Sequence, residues 1–152
     1  MRDADSAGTW DPDELHETPV TARARVKRVA NSLIVAELDL KRRREDELHA
    51  ELARDAAADA LEVAATLAML NDDAPKVERN GATVAEKQAW VERKVRPQQE
   101  LLKDAVVRLK GAKMLTEGAR RHYDRLNTQI MAAQAVLKSI DRAMSIGTHG
   151  DA

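Results

Sequence analysis

The sequence predicts an all-α protein: a long antiparallel helical hairpin, kinked near Pro97, that assembles into a helical-bundle oligomer. Three observations predict this fold class. Of the 152 residues, 34% are charged and 27 are Ala, a composition typical of long helices and coiled coils. Apolar residues recur every seven positions over residues 95–144. The turn-forming residues are concentrated in one segment, residues 72–83, near the middle of the chain.

The aromatic content limits how thick the core can be. The chain has no Phe, two Trp and one Tyr, and an Ala side chain buries little apolar area while it favours helix. We therefore expect one domain with a thin core between helices whose backbones approach closely.

The first elements follow from charge and from helix end signals. Residues 1–19 carry six acidic residues against Arg2, show no helical periodicity and are predicted to be a disordered acidic tail that only Trp10 and Leu15 could anchor. A first helix is predicted over 20–71, with Thr18-Pro19 or Thr21 as its cap and first turn.

The second half begins after the turn at 72–83, in which Asn80-Gly81 is the sharpest break. Thr83 and Glu86 have the spacing of a capping box, which predicts that a second helix begins at residue 84 and runs to 145. Pro97 lies inside this helix and predicts a kink, or a short helix over 84–95 followed by a long one. Residues 147–152 are predicted to be a second disordered tail.

The second helix carries the clearest periodicity. Positions of a strict seven-residue repeat run from Val95 and Gln98 to Met144, through Thr116, and predict a left-handed supercoil with a partner helix. The predicted coiled-coil core is Leu102, Ala105, Leu109, Ala112, Ala119, Tyr123, Leu126, Ile130, Ala133, Leu137 and Ile140. Gly111 and Gly118 either extend the small-residue face for close packing or provide local flexibility; at this point both alternatives stand.

The first helix fits the partner role less regularly. Its predicted seam follows alternating three- and four-residue spacing at first, then steps by four over residues 44–60, which predicts relaxed supercoiling there. The predicted seam is Val26, Val29, Leu33, Ala36, Leu40, Arg44, Leu48, Leu52, Ala56, Ala60, Val63, Leu67 and Leu70.

Charge is segregated along the chain, although the net charge is only −1. The net charge is −5 over 1–19, +6 over 20–44, −7 over 45–83 and +6 over 84–144. In a hairpin that turns near residue 78, residue i lies opposite about residue 156 − i, so acidic residues of the first helix are expected to face basic residues of the second. The acidic set is Glu45, Asp46, Glu47, Glu51, Asp55, Asp59 and Glu62, and the basic set is Lys94, Arg96, Lys103, Arg108 and Lys110.

At the open end of the predicted hairpin the basic residues exceed the acidic ones. This candidate binding face for nucleic acid or a protein partner comprises Arg23, Arg25, Lys27, Arg28, Lys41, Arg42, Arg43, Arg44, Lys113, Arg120, Arg121 and Arg125. It predicts phosphate-backbone binding without sequence readout. A solvated helix face, or a cradle for the acidic tail, explains the same charges.

The chain lacks the patterns of several kinds of chemistry. Without Cys it has no disulfide, thiol nucleophile or thiolate metal site. Asp46 and His49 give only one copy of a helical-bundle ligand spacing, so we predict no metal, no cofactor and no small-molecule substrate. No nucleophile elbow or phosphate-binding glycine loop occurs, and we predict that the protein is not an enzyme. Without a signal-like start or a long apolar run, we expect a soluble, cytoplasmic protein.

Part of the second half of the sequence resembles a known group of proteins. The segment Gly81-Ala82-Thr83-Val84-Ala85-Glu86-Lys87-Gln88-Ala89, the Ala/Leu heptads after it, and Gln134-Ala135-Val136-Leu137-Lys138-Ser139 resemble small uncharacterised helical proteins of tailed phages and prophages. The resemblance covers residues 81–144 and implies a setting in early replication and recombination. It implies no site residue.

Three functional hypotheses follow. The first is a non-catalytic coiled-coil adaptor, a homo-oligomer with a dimer favoured, that engages a protein of DNA recombination or replication. The second is direct, sequence-nonspecific nucleic-acid binding through the basic residues. The third is a virion assembly scaffold or chaperone.

Overall fold

The structure, a computed structural model, describes the chain from residue 18 to 150, except for the side chains of residues 148–150. It consists of two long helices, α1 over Pro19–Leu70 and α2 over Val84–Gly150. The predicted all-α helical hairpin is confirmed. Of the tail predicted over residues 1–19, residues 1–17 with Trp10 and Leu15 lie outside the described residues, and Pro19 belongs to α1. No described helix combines the length and the apolarity that crossing a membrane requires.

Helix α1 begins where the sequence places a cap. The hydroxyl oxygen of Thr18 accepts a hydrogen bond from the Thr21 amide at 3.2 Å, and Pro19 is the first helical residue, where its missing N–H costs nothing. The helix ends at Leu70, one residue before the predicted end. The Asn71 side-chain oxygen then accepts a bond from the Asp73 amide at 3.0 Å and starts the turn.

The turn is closed by backbone contacts around Gly81. The Gly81 amide donates to the Glu78 carbonyl at 3.1 Å, and the Ala82 amide donates to the Lys76 carbonyl at 3.2 Å. A Cβ at position 81 would lie 2.9 Å from the Lys76 carbonyl oxygen. Close backbone approach therefore requires glycine at this position.

The capping box at the start of α2 is confirmed. The Thr83 hydroxyl accepts from the Glu86 amide at 3.2 Å, and the Glu86 carboxylate accepts from the Thr83 amide at 3.2 Å. Of the two predicted alternatives at Pro97, division into a short helix and a long one is wrong, because Pro97 lies inside one continuous helix. A further difference from prediction is that α2 continues to Gly150, so that residues 147–150 are helical rather than part of a tail. The uninterrupted heptads on both sides of Pro97 favour continuation of the helix, and only one intrahelical bond is lost.

The described chain divides into two units. Unit 1 combines residues up to Asp39 with residues from Arg120 onward, and unit 2 is Leu40–Ala119, which includes the turn. In unit 1, an ion pair joins Arg23 of α1 to Asp141 of α2 at 3.9 Å. In unit 2, Ala68 packs with Val91 and Val95, and Leu61, Ala64, Ala65 and Trp90 cover this cluster. Each unit is thus an antiparallel pair of helical segments.

The core is thin, as the Ala content predicts. Six of the ten buried hydrophobic residues are Ala, and no described polar or charged residue is buried. The Thr116 hydroxyl of unit 2 reaches across to the Arg43 backbone carbonyl at 3.1 Å while it also lies 3.0 Å from the Ala112 carbonyl of its own helix. A short side chain can reach a carbonyl of the facing helix only where the two backbones approach closely.

Replacement of Gly111 or Gly118 with Ala is predicted to stabilise the protein. A Cβ at either position would meet nothing within 4 Å, so within the chain these glycines serve no close packing. Replacing each with Ala is expected to raise the free energy of unfolding by about 1 kcal/mol, because Ala favours a helix interior. Urea unfolding of Gly111→Ala and Gly118→Ala measures this gain. Gly81→Ala is the matched control and is expected to lower stability; a loss at all three positions would contradict the open surroundings of Gly111 and Gly118.

Candidate interaction surfaces

The seam of α2 occupies the heptad positions expected from the sequence. Between residues 91 and 140, the positions that are not exposed are Val91, Val95, Gln98, Leu102, Ala105, Leu109, Ala112, Thr116, Ala119, Tyr123, Leu126, Ile130, Ala133, Leu137 and Ile140. All eleven predicted core residues are among them. Met144, which continues the repeat in the sequence, is 55% exposed, so the protected seam ends at Ile140.

The seam of α1 differs from the prediction. It keeps a strict alternation of three- and four-residue steps, through Ala22, Val26, Val29, Leu33, Ala36, Leu40, Arg43, Glu47, Ala50, Arg54, Ala57, Leu61, Ala64 and Ala68. The predicted members from Arg44 to Leu70 are therefore wrong, and all of them are exposed. The physical reason is that two helices that pack side by side along a shared seam keep one periodicity. The strict heptads of α2 require strict heptads in α1, even where these place polar residues in the seam.

The polar seam residues are long side chains that remain partly solvated. Arg43, Glu47 and Arg54 are half-buried, which is possible because their apolar stems can cover the seam while their charged ends reach water. The guanidinium of Arg54 turns to its chain neighbour Asp55, with Nη2 2.9 Å from Oδ1. Arg43, predicted as part of an exposed basic face, belongs instead to the seam beside Thr116.

Unit 2 consequently exposes the apolar residues that were expected in the seam. Leu48, Leu52, Val63 and Leu67 are 54–64% exposed. Ala53, Ala56 and Ala60 lie between them and are also exposed. We call these seven residues the outer stripe of α1. On α2 of the same unit, Leu101, Val107, Met114 and Leu115 are 54–67% exposed and form the outer ridge of α2.

The expected pairing of acidic and basic residues across the hairpin is not found. Thr116 lies level with Arg43, so in unit 2 residue i lies opposite about residue 159 − i, three positions from the expected register. In the described part of the chain, no ion pair joins the acidic set of α1 to the basic set of α2. Asp55 pairs with Arg54, and the Lys94 ammonium lies over the Trp90 ring, 5.3 Å from its centroid. The two charged sets remain on the surface of unit 2.

The remaining basic candidates fall in both units. In unit 1, Arg23 is paired with Asp141, and the other exposed members are Arg25, Lys27, Arg28, Arg120, Arg121 and Arg125. A shallow groove of this unit is lined by Arg25 and Arg28 on α1 and by Gln129 and Val136 on α2. In unit 2, Lys41, Arg42, Arg44 and Lys113 are exposed.

Unit 1 also carries an exposed apolar patch that the sequence did not single out. Ile34, Val35 and Leu38 are 57%, 66% and 63% exposed and lie on consecutive turns of α1. Val35 also lines a groove beside His122 of α2. The sequence does not distinguish this patch from the nearby seam residues Leu33 and Ala36, because a run of apolar residues does not show which of them face the partner helix.

One seam residue carries an unsatisfied polar atom. Gln98 Oε1 is buried and has no hydrogen-bond partner among the described residues. Gln98→Leu is expected to raise the free energy of unfolding by about 1 kcal/mol, because a buried acceptor without a donor costs about 1–3 kcal/mol. Gln99→Leu, at the exposed neighbouring position, is the control and should change stability by less than about 0.5 kcal/mol. Equal effects at 98 and 99 would argue against burial of the Gln98 side-chain oxygen.

No group of three or more His, Asp or Glu in the described residues is arranged to hold a metal ion. His49 and His122 are exposed. No protein-family model matches the chain, and searches of curated proteins and of solved structures found no match.

Proposed function

We propose that this chain is a non-catalytic coiled-coil adaptor that self-associates and engages another protein, in the DNA recombination or replication of a phage or prophage. The observation that carries the interaction role is the exposed apolar patch of unit 1, made of Ile34, Val35 and Leu38. Contiguous apolar side chains on a surface are typical of sites that bind another chain. The setting rests on the resemblance of residues 81–144 to helical phage proteins.

The geometry supports recognition by a helix face rather than by an enclosed cavity. The patch covers adjacent turns of one helix, and the neighbouring groove is lined by Val35, Ala36 and His122. A partner helix that lays an apolar side chain into such a groove follows a common mode of recognition. The expected partner therefore carries an amphipathic helix.

The proposed function is tested by affinity capture from phage-infected cells, followed by mass spectrometry. Wild-type protein is compared with the double variant Ile34→Glu/Leu38→Glu and with the control Met131→Glu, which changes an exposed apolar residue elsewhere in unit 1. We expect a recombination or replication protein to be captured by the wild type and the control but lost from the double variant. Helix content measured by circular dichroism must be equal in all three.

Two results would overturn this proposal. Capture of the same proteins by the wild type and the double variant would show that the patch is not the binding site. Capture of capsid or tail proteins would favour the third hypothesis, a virion assembly factor.

Direct nucleic-acid binding is a second candidate, favoured by the exposed side chains of Lys41, Arg42 and Arg44. For three phosphate contacts, the affinity for duplex DNA should fall about 40-fold between 50 and 200 mM salt. The double variant Arg42→Glu/Arg44→Glu should bind duplex DNA more weakly than the wild type at the same salt concentration. It leaves the seam residue Arg43 unchanged. Fluorescence anisotropy with labelled duplex measures both effects; salt-insensitive binding, or equal binding by the variant, would reject direct phosphate recognition.

A further inference from the structure

Unit 2 has an apolar face that its own two helices leave open. On α1, Ala53, Ala56, Ala60, Val63 and Leu67 repeat the three- and four-residue spacing of a coiled-coil seam, but they lie outside the seam that α1 shares with α2. The helix therefore carries two seams, of which the described part of the chain covers one. A second seam of this kind is typical of a helix in a bundle.

Helix α2 contributes to the same side of unit 2. Leu101 and Leu115 precede the seam residues Leu102 and Thr116 by one position, as Ala60 and Leu67 precede Leu61 and Ala68 on α1. In an antiparallel coiled coil, these positions on both helices border the same side of the seam. The open face therefore combines the part of the outer stripe of α1 from Ala53 to Leu67 with Leu101 and Leu115 of the outer ridge of α2.

The two helical segments that form this face carry opposite net charge. The net charge is −6 over residues 45–70 of α1 and +5 over residues 93–113 of α2. On this side of the seam α1 carries Asp46 and Asp59, α2 carries Lys94 and Arg108, and all four are exposed. As described above, the acidic and basic sets form no ion pair with each other within the chain.

We propose that a second copy of this chain covers the open face, with α1 of each copy packed against α2 of the other. A two-fold axis parallel to the helices produces this arrangement, forms the contact twice and places both turns at the same end. The alternative, α1 against α1, would bring together two segments of charge −6. Charge complementarity thus selects both the occupant and its orientation.

The face is large enough for a stable dimer. Twenty residues of helix span about 30 Å, and two adjacent helix faces of this length offer area of the order of the roughly 800 Å² per partner in a standard interface. The inference deepens the proposed function, because it assigns self-association to unit 2 and leaves the patch of unit 1 to the partner protein.

Charge reversal tests the arrangement, with mass measured by light scattering after size exclusion. Variant X carries Asp46→Lys and Asp59→Lys, and variant Y carries Lys94→Glu and Arg108→Glu. The wild type should be a dimer, whereas X alone and Y alone should dimerise at least tenfold more weakly because like charges meet. An equimolar mixture of X and Y should restore the dimer, since each contact then joins opposite charges.

The chain that combines all four substitutions should dimerise like the wild type. Its dimerisation would show that the substitutions in X and Y do not prevent folding. A monomeric wild type would overturn the inference. A dimer of Y alone as tight as the wild type would also overturn it, because α1 against α1 does not involve the residues changed in Y. If this dimer arrangement is wrong but Ile34→Glu/Leu38→Glu still fails to capture the partner protein, the adaptor function remains supported.

The orientation is tested with Glu78→Cys, a single cysteine in the exposed turn of a chain that has none. Mild oxidation should link the two copies through position 78, because the proposed axis places both turns at one end. A dimer by light scattering that yields no cross-link at position 78, under conditions in which the free thiol reacts with a small disulfide reagent, would contradict the proposed axis.

Discussion

Replacing Leu109 with Ala is expected to lower the free energy of unfolding by about 2–5 kcal/mol. Leu109 is 4% exposed, and it is one of the two buried Leu residues in a core otherwise made of Ala and Val. Ala105 and Ala112, one turn away on the same face, are too small to fill the space that Leu109 would leave. Urea unfolding, monitored by circular dichroism at a concentration at which the chain is monomeric, measures the loss.

Leu38→Ala is the matched control for Leu109→Ala, because Leu38 is 63% exposed. The control should change stability by less than about 0.5 kcal/mol. Similar losses for the two variants would mean that Leu109 is not the main apolar contact of the thin core.

Replacing Leu61 with Ala is expected to cost about 2 kcal/mol, near the low end for a buried Leu, because Leu61 is half-buried. It covers the cluster formed by Ala68, Val91 and Val95. Leu52→Ala, in the outer stripe of α1, should cost less than about 0.5 kcal/mol. Urea unfolding of the two monomeric variants compares them directly.

The comparison of Leu61 with Leu52 distinguishes the two possible seams of α1. The hydrophobic pattern of α1 alone places Leu52 in the seam and Leu61 outside it, whereas the structure has the reverse arrangement. A larger loss in the free energy of unfolding for Leu52→Ala than for Leu61→Ala would therefore favour the seam that the hydrophobic pattern predicts.

The fold could be predicted because its signals are local. Thr83 and Glu86 form their capping box within one helical turn, and the heptads of α2 are regular enough to identify its protected face. The seam of α1 between residues 43 and 57 could not be predicted from α1 itself, because its own apolar residues form a second face. What determines the seam is the periodicity of the partner helix, which overrides the local preference of Leu48 and Leu52.

The candidate surfaces are harder to predict from the sequence than the fold, for a related reason. The sequence shows which basic residues are neighbours along the chain, but neighbours such as Arg42, Arg43 and Arg44 point in different directions around a helix. Arg43 therefore lies in the seam while Arg42 and Arg44 are exposed. The charge segregation of unit 2 is plain in the sequence, but only the register shows that its opposite charges are not paired within the chain.

Each chain folds on itself with Arg43 of α1 level with Thr116 of α2. The direct measurement is disulfide formation in the double variant Arg43→Cys/Thr116→Cys, since the chain has no other cysteine and the Thr116 hydroxyl lies 3.1 Å from the Arg43 carbonyl. We expect an oxidised chain of monomer mass under denaturing, non-reducing conditions, and little cross-linking in the control pair Leu48→Cys/Thr116→Cys. Covalent dimers as the main product of the Arg43→Cys/Thr116→Cys variant, or more efficient cross-linking in the control pair, would contradict it.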